Sequence, residues 1–269
     1  MRDEMLTNYT VDDDITMIQA PYSFQFGHVK CNTHTIPELL EELRTLLNNP
    51  SLRPRGIRAI NAHIFNLAAY DDELREILNA SRIVVADGMA IVWAAHLFGG
   101  RLTERCNMTE SFRAFLAEET MPKSKAILVG CRQEEVNLAA DNIMKASVHC
   151  AITRAICGFA DDSEYVKVFS QSPEIDLILI GMGTPRSERL AMVAAELCPN
   201  AIVWHVGGGT IRIFAGSEKE APKWCRQIGI QWVYRLCIDP KQMWNRYLLG
   251  NPKFIKLVLW EAIKRRISD

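Results

Sequence analysis

A chain of 269 residues, 48% apolar and 23% charged, has material for one large α/β domain or for a domain with an appendage. Its formal net charge of -1 argues against a chain devoted to nucleic acid. No apolar stretch approaches bilayer length and the N-terminus carries no secretory apolar core, so the expected compartment is the cytoplasm. The eight cysteines form no C-x-x-C pair and are expected reduced. The six histidines show neither H-x-x-x-H nor H-E-x-x-H, so no structural metal is expected.

Residues 1–22 are acidic and aperiodic, an expected loose arm. Ser23 to Cys31 alternates enough, through Phe24, Phe26, His28 and Val29, to predict a strand. Thr35-Ile-Pro-Glu38 reads as a capping box, followed by Leu39, Leu40, Leu43, Leu46 and Leu47 at helical spacing. Further strands are expected at Ile57–Ile60, Ile83–Ala86, Ala126–Val129, Ala151–Ile156, Leu177–Ile180 and Ile202–Val206. Helices are expected between them, among others at Met89–Phe98, Glu134–Lys145 and Glu188–Leu197. Strands alternating with helices imply parallel pairing with crossover helices, hence a Rossmann-like, mostly parallel sheet flanked by helices over 23–216.

From 217 to 269 the texture changes to helical periodicity with no strand pattern. Trp224, Trp232, Trp244 and Trp260 lie here, and basic residues from Lys219 to Arg266 outnumber the acids Glu220, Asp239, Glu261 and Asp269. Pro240 and Pro252 read as first-turn prolines of two successive helices. This stretch is expected to be a separate C-terminal helical appendage. It is either a solvated cationic face or, favoured by the tryptophans, a segment lying at an anionic membrane surface.

Ligands of an open parallel sheet sit beyond the carboxyl ends of its strands. The residues there are Asn61, Asp87-Gly88, Gly130, the Gly181-Met-Gly183-Thr-Pro185 turn and the Gly207-Gly208-Gly209 triplet. Asp87 has two readings: a general base aimed into a cleft, or an aspartate capping the helix after it. The glycine turns also have two: backbone cradles for a diphosphate, or the turns any parallel sheet needs. Neither fits G-x-G-x-x-G, because Arg186 takes the last glycine position, and there is no Walker lysine.

Several strings together resemble one family. Ala86-Asp-Gly-Met-Ala-Ile-Val-Trp-Ala-Ala95 and Leu97-Phe-Gly-Gly-Arg-Leu-Thr-Glu-Arg105 resemble the "ADGMGVVWAARLLGGPLPERV" segment of the WecG/TagA/CpsF glycosyltransferases. Gly183-Thr-Pro-Arg-Ser-Glu188 resembles their "GAPKQE" turn. Ala221-Pro-Lys-Trp224, Gly229-Ile-Gln-Trp-Val-Tyr-Arg-Leu236 and Arg246-Tyr-Leu-Leu-Gly-Asn-Pro-Lys-Phe254 resemble their closing signature. The resemblance implies inverting transfer from a UDP-sugar to a polyprenyl-diphosphate-linked sugar, on the inner face of the cytoplasmic membrane, with no cofactor and no metal. It makes Asp87 the expected catalytic base. It makes Asn61, Gly88, Gly130, Gly183, Pro185, Arg186, Glu188, Gly208, Gly209 and Arg235 the expected substrate-binding residues, with Arg226 and Arg246 weaker matches to a donor-binding arginine. A homo-oligomer is compatible with all of this.

The chain also departs from the pattern. Arg186 and Ser187 stand for the family's lysine and glutamine, Ala59 for a threonine, Glu110 for a shifted acid and Arg212 for an aspartate. These changes bear on the donor sugar more than on the reaction class. They also motivate an alternative, a degenerate member that binds a nucleotide sugar or scaffolds other enzymes. An unrelated Rossmann-like nucleotide enzyme is the third reading.

Overall fold

The apolar runs become the strands of one sheet in the computed structural model, which describes residues 23–52 and 56–268. The arm expected over 1–22 lies outside the described residues. The strands are β1 (Ser23–Phe26), β2 (Val29–Asn32), β3 (Ile57–Ile60), β4 (Ile83–Ala86), β5 (Ser124–Gly130), β6 (Cys150–Ile156), β7 (Leu177–Gly181) and β8 (Ile202–His205). Their order is β1-β2-β4-β3-β8-β7-β5-β6, and every pair is parallel except β1 with β2. The single strand expected over Ser23 to Cys31 is thus a hairpin. Gly27, at φ 58°, supplies the left-handed residue that reverses the chain, and the alternating apolar residues on either side serve two strands.

Helices fill the connections: α1 (Ile36–Asn48), α2 (Ala62–Ala68), α3 (Asp72–Ala80), α4 (Met89–Ala95), α5 (Met108–Ala117), α6 (Gln133–Ala146), α7 (Asp162–Ser170), α8 (Arg186–Leu197) and α9 (Gly208–Ala215). Thr35 and Glu38 form the expected capping box at α1, and its five leucines are buried. Each such leucine contributes roughly 1.5–3 kcal/mol of transfer free energy. The helix expected over Met89–Phe98 is α4 followed by a 3₁₀ turn, His96–Phe98, closed by left-handed Gly99. One face of the sheet packs on α1, α5, α6 and α9. The other face carries two clusters, one under α2 and α4, the other under α7 and α8.

The C-terminal stretch is helical as expected: α10 (Lys223–Gln227), α11 (Gln231–Ile238), α12 (Pro240–Trp244) and α13 (Gly250–Ser268). A π-helical turn, Asn245–Leu249, joins the last two. It is docked rather than detached. Phe254, Val258 and Ala262, four residues apart along one face of α13, enter the same core cluster as Phe26 and Phe65. Glu261 meets His28 Nδ1 of the β1–β2 turn at 2.5 Å, and Asn66 Nδ2 donates to the Gly250 carbonyl at 2.7 Å. Among the described residues no helix is long and apolar enough to cross a membrane.

Candidate active site

β3 and β8 are neighbours although four strands separate them in sequence, and their pairing joins the two halves of the sheet. The carboxyl ends of β3, β4, β7 and β8 therefore open onto one crevice, as the doubly wound topology requires. The crevice is a cleft of about 680 Å³, roofed by residues of α11, the π turn and α13.

Asp87 lies on its wall, directly after β4. The aspartate does not cap α4. Gly88 holds the cap position at φ 145°, ψ 145°, a backbone conformation open only to glycine, and no side chain bonds the first amides. That conformation turns the Asp87 carboxylate away from the helix and toward Asn107, whose Nδ2 donates to Oδ1 at 2.7 Å. The contact is prepared by the backbone. The Asp87 amide donates to Ile60 O at 2.8 Å and the Cys106 amide donates to Ala86 O at 2.8 Å, so the loop carrying Asn107 runs along the end of β4.

Asn61, Gly88, Gly183, Gly208, Gly209 and Arg235 line the same cleft as Asp87. Asn61 caps α2, its Oδ1 accepting the amides of His63 and Ile64 at 3.0 and 3.1 Å, which leaves Nδ2 as the group it can offer a ligand. Gly207, at φ 85°, starts α9 without a side-chain cap. The first amides of α9 thus face the cleft unaided, and the Arg235 guanidinium stands 3.5 Å from where a Gly209 side chain would begin. The Glu218 carboxylate stands 3.9 Å from the same point, paired with Arg212, so the α9 start carries a cation on one side and an ion pair on the other.

Four expected residues are not part of the wall. Gly130 is a packing residue: a side chain there would begin 2.4 Å from the Gly181 carbonyl and 2.6 Å from Ile211. Pro185 opens α8, and Arg186 reaches outward to the Ala160 carbonyl at 3.1 Å. Glu188 is wholly buried behind the cleft, accepting from Thr184 Oγ1 at 2.8 Å and facing His205 Nδ1 at 3.4 Å. Ser187 is buried as well, its Oγ accepting the Met182 amide at 3.0 Å, so it closes the turn from behind.

The cleft also gathers residues that sequence reasoning passed over: Arg105, Asn107, His205 and Gln231. β8 ends at His205, one residue short of the strand expected to Val206, so the strand-end rule applied two residues before Gly207 would have found it. Arg105 spans two elements, donating to Glu110 at 3.1 Å and to Gln231 Oε1 at 3.1 Å. Arg226 donates to the same Glu110 at 2.9 Å, and Arg113 binds Glu220. These pairs strap the C-terminal helices over the cleft. Arg212, where the family has aspartate, is occupied by Glu218 at 2.7 Å. Among the described residues no three His, Cys, Asp or Glu side chains converge as a metal site would need.

A family model described as "Glycosyl transferase WecG/TagA/CpsF family" matches residues 24–268, nearly the whole chain. The chain belongs to that family. This WecG/TagA/CpsF member is similar to an N-acetylglucosaminyldiphosphoundecaprenol N-acetyl-beta-D-mannosaminyltransferase of Bacillus subtilis (strain 168). The two are 26% identical over 211 residues, covering 78% of this chain and 81% of the relative. The enzyme of the same name from Staphylococcus aureus (strain NCTC 8325 / PS 47) is 26% identical over 234 residues, covering 86% and 89%. The WecG/TagA/CpsF membership makes the chain a glycosyltransferase.

Proposed function

We propose that this enzyme moves a hexose or N-acetylhexosamine-type sugar from a UDP-sugar to a polyprenyl-diphosphate-linked sugar, with inversion, at the inner face of the cytoplasmic membrane. The observation that carries the reading is the shared wall: a carboxylate, Asp87, and an uncapped helix start, Gly207 to Gly209 with Arg235, open into one cleft. Asn107 engages Asp87 Oδ1, which leaves Oδ2 free to receive a proton. Asp87 takes the proton of the acceptor hydroxyl while that oxygen bonds the anomeric carbon. The bond from that carbon to the UDP oxygen breaks on the opposite face, and the electron pair leaves with the diphosphate. The α9 amides and Arg235 stabilise the charge arriving there.

The lipid-linked acceptor is supported by the names of the relatives and by the cleft's outer lip. Trp93, Leu97, Ile255 and Leu259 lie on that lip and are 42–63% exposed, an apolar margin that suits an isoprenoid chain. Exposed Trp224, Trp244 and Trp260 among the lysines of the C-terminal helices suit a membrane surface. The donor sugar is read by the pocket walls, and Ala59 beside Asn61 makes that wall smaller than the family's threonine would.

The test is a panel of UDP-sugars, UDP-N-acetylmannosamine included, with a short-chain polyprenyl-diphosphate-N-acetylglucosamine acceptor, followed by UDP release. Turnover with at least one donor is expected. UDP binding without release from any donor would instead support a non-catalytic sugar-nucleotide binder.

A further inference from the structure

Behind the cleft lies a buried polar cluster that the reaction outlined above does not use. Arg58 of β3, Glu188 of α8 and His205 of β8 are 1%, 0% and 7% exposed. Each has a buried polar atom without a hydrogen-bond partner: Arg58 Nε, Glu188 Oε2 and His205 Nδ1. Buried polar groups are nearly always satisfied, so three orphans at one place mark a site whose geometry serves something other than stability. Gly56 makes room for the Arg58 guanidinium, which would lie 2.6 Å from any side chain at that position. Only His205 of the three reaches the cleft wall, beside Gly207 to Gly209.

The charges decide the protonation. Thr184 Oγ1 donates to Glu188 Oε1, and the buried Arg58 guanidinium feels the same carboxylate. Burial holds the His205 imidazole below its ordinary range. Glu188 pulls the other way, Arg58 reinforces the burial, and Asp87 again favours the protonated ring. The ring is therefore neutral at pH 7. Its one proton belongs on Nδ1, which faces the Glu188 carboxylate at 3.4 Å. Nε2 is then the acceptor of a ring that lines the cleft.

We propose that His205 is a specificity-determining residue that accepts a hydrogen bond from a hydroxyl of the donor sugar, and that Glu188 is the positioning residue that fixes its tautomer. The proposal rests on the glycosyltransferase reading above, because the sugar must hang from a diphosphate held at Gly207 to Gly209. A site built to accept a hydroxyl rejects ligands that lack it, since the buried acceptor is then left unpaired.

The experiment compares calorimetric affinities for UDP and UDP-N-acetylmannosamine in the wild type, His205→Ala, His205→Gln and Glu188→Gln, with thermal melting as the folding control. His205→Ala is expected to bind UDP as the wild type does but to lose roughly tenfold in affinity for the sugar nucleotide. His205→Gln, whose amide can reach the Nε2 position, should recover most of it. Glu188→Gln should weaken sugar binding in the wild type and add nothing in the His205→Ala background, a non-additivity that a merely structural role would not give. Equal ratios of the two affinities in wild type and His205→Ala would overturn the proposal while leaving the reaction class standing. A wild type that binds neither ligand would overturn both.

Discussion

Asn107 Nδ2 donates to Asp87 Oδ1 at 2.7 Å, while its own Oδ1 accepts the Glu110 amide at 3.1 Å and so begins α5. One asparagine orients the candidate base and starts the helix that follows. Replacing it by alanine removes both contacts. Asn107→Ala is expected to cost about 1 kcal/mol of stability through the lost cap, read by denaturant unfolding. It should also lower kcat more than it raises the donor KM. A loss confined to stability would mean that Asp87 needs no lateral support.

Asp87→Asn keeps the shape of the side chain and removes its basicity. Because Gly88 rather than Asp87 caps α4, melting temperature should change little. Transfer should fall by about 10²–10⁴-fold, the usual worth of a general base, with UDP affinity retained. Unchanged turnover in a radiolabelled transfer assay would remove Asp87 from the mechanism.

Acidification should destabilise the fold through buried neutral imidazoles. His149 lies against Phe115, its Nε2 donating to the Phe115 carbonyl at 3.0 Å, and burial holds its pKa below the ordinary 6.5. The hydrogen bonds to backbone carbonyls and Glu118 oppose that shift without cancelling it. A folded pKa below the unfolded one means that stability is fully present above the unfolded value. It is lost as pH falls through 6.5 toward the folded value. Melting temperature should accordingly hold from pH 8 to 7 and decline from pH 6.5 to 5. His149→Gln, which keeps a donor for Phe115 but does not titrate, should decline less steeply. Identical slopes would exclude His149 as a contributor.

Membrane attachment is best tested without deleting the C-terminal helices. Removing them would strip Phe254, Val258 and Ala262 from the core shared with Phe26 and Phe65, confounding attachment with unfolding. The exposed residues Trp244, Trp260 and Lys256 can be changed to serine at little cost to the fold. Lys256→Ser is expected to weaken sedimentation with phosphatidylserine vesicles by about 1 kcal/mol, roughly fivefold. The double tryptophan variant should weaken binding to neutral vesicles too. Unaltered sedimentation by both variants would place the contact elsewhere.

Much of the fold is a local matter and could be read from the chain. The strands follow from short apolar runs, α1 from Thr35, Glu38 and five spaced leucines, and the parallel sheet from strict alternation of the two patterns. The crevice was legible in outline, because strand ends in such a sheet must converge and Asn61, Asp87, Gly183 and Gly208 all follow strands. The hairpin at Gly27 was not, since alternation continues on both sides of a turn.

The roles inside the crevice are a different matter, for they depend on partners far away in sequence. Asp87 is freed from capping by a glycine conformation and claimed by Asn107, twenty residues on. Glu188 and Arg186 lie two residues apart in one string, yet the turn of α8 buries the first against His205 and sends the second out to Ala160. Periodicity along the chain therefore determined which elements form and which of their ends meet. Only the packing of β3, β4, β8 and α8 against one another decided which polar groups face the cleft. Burial and hydrogen-bond partnership are properties of neighbours in space, and a single sequence does not print them.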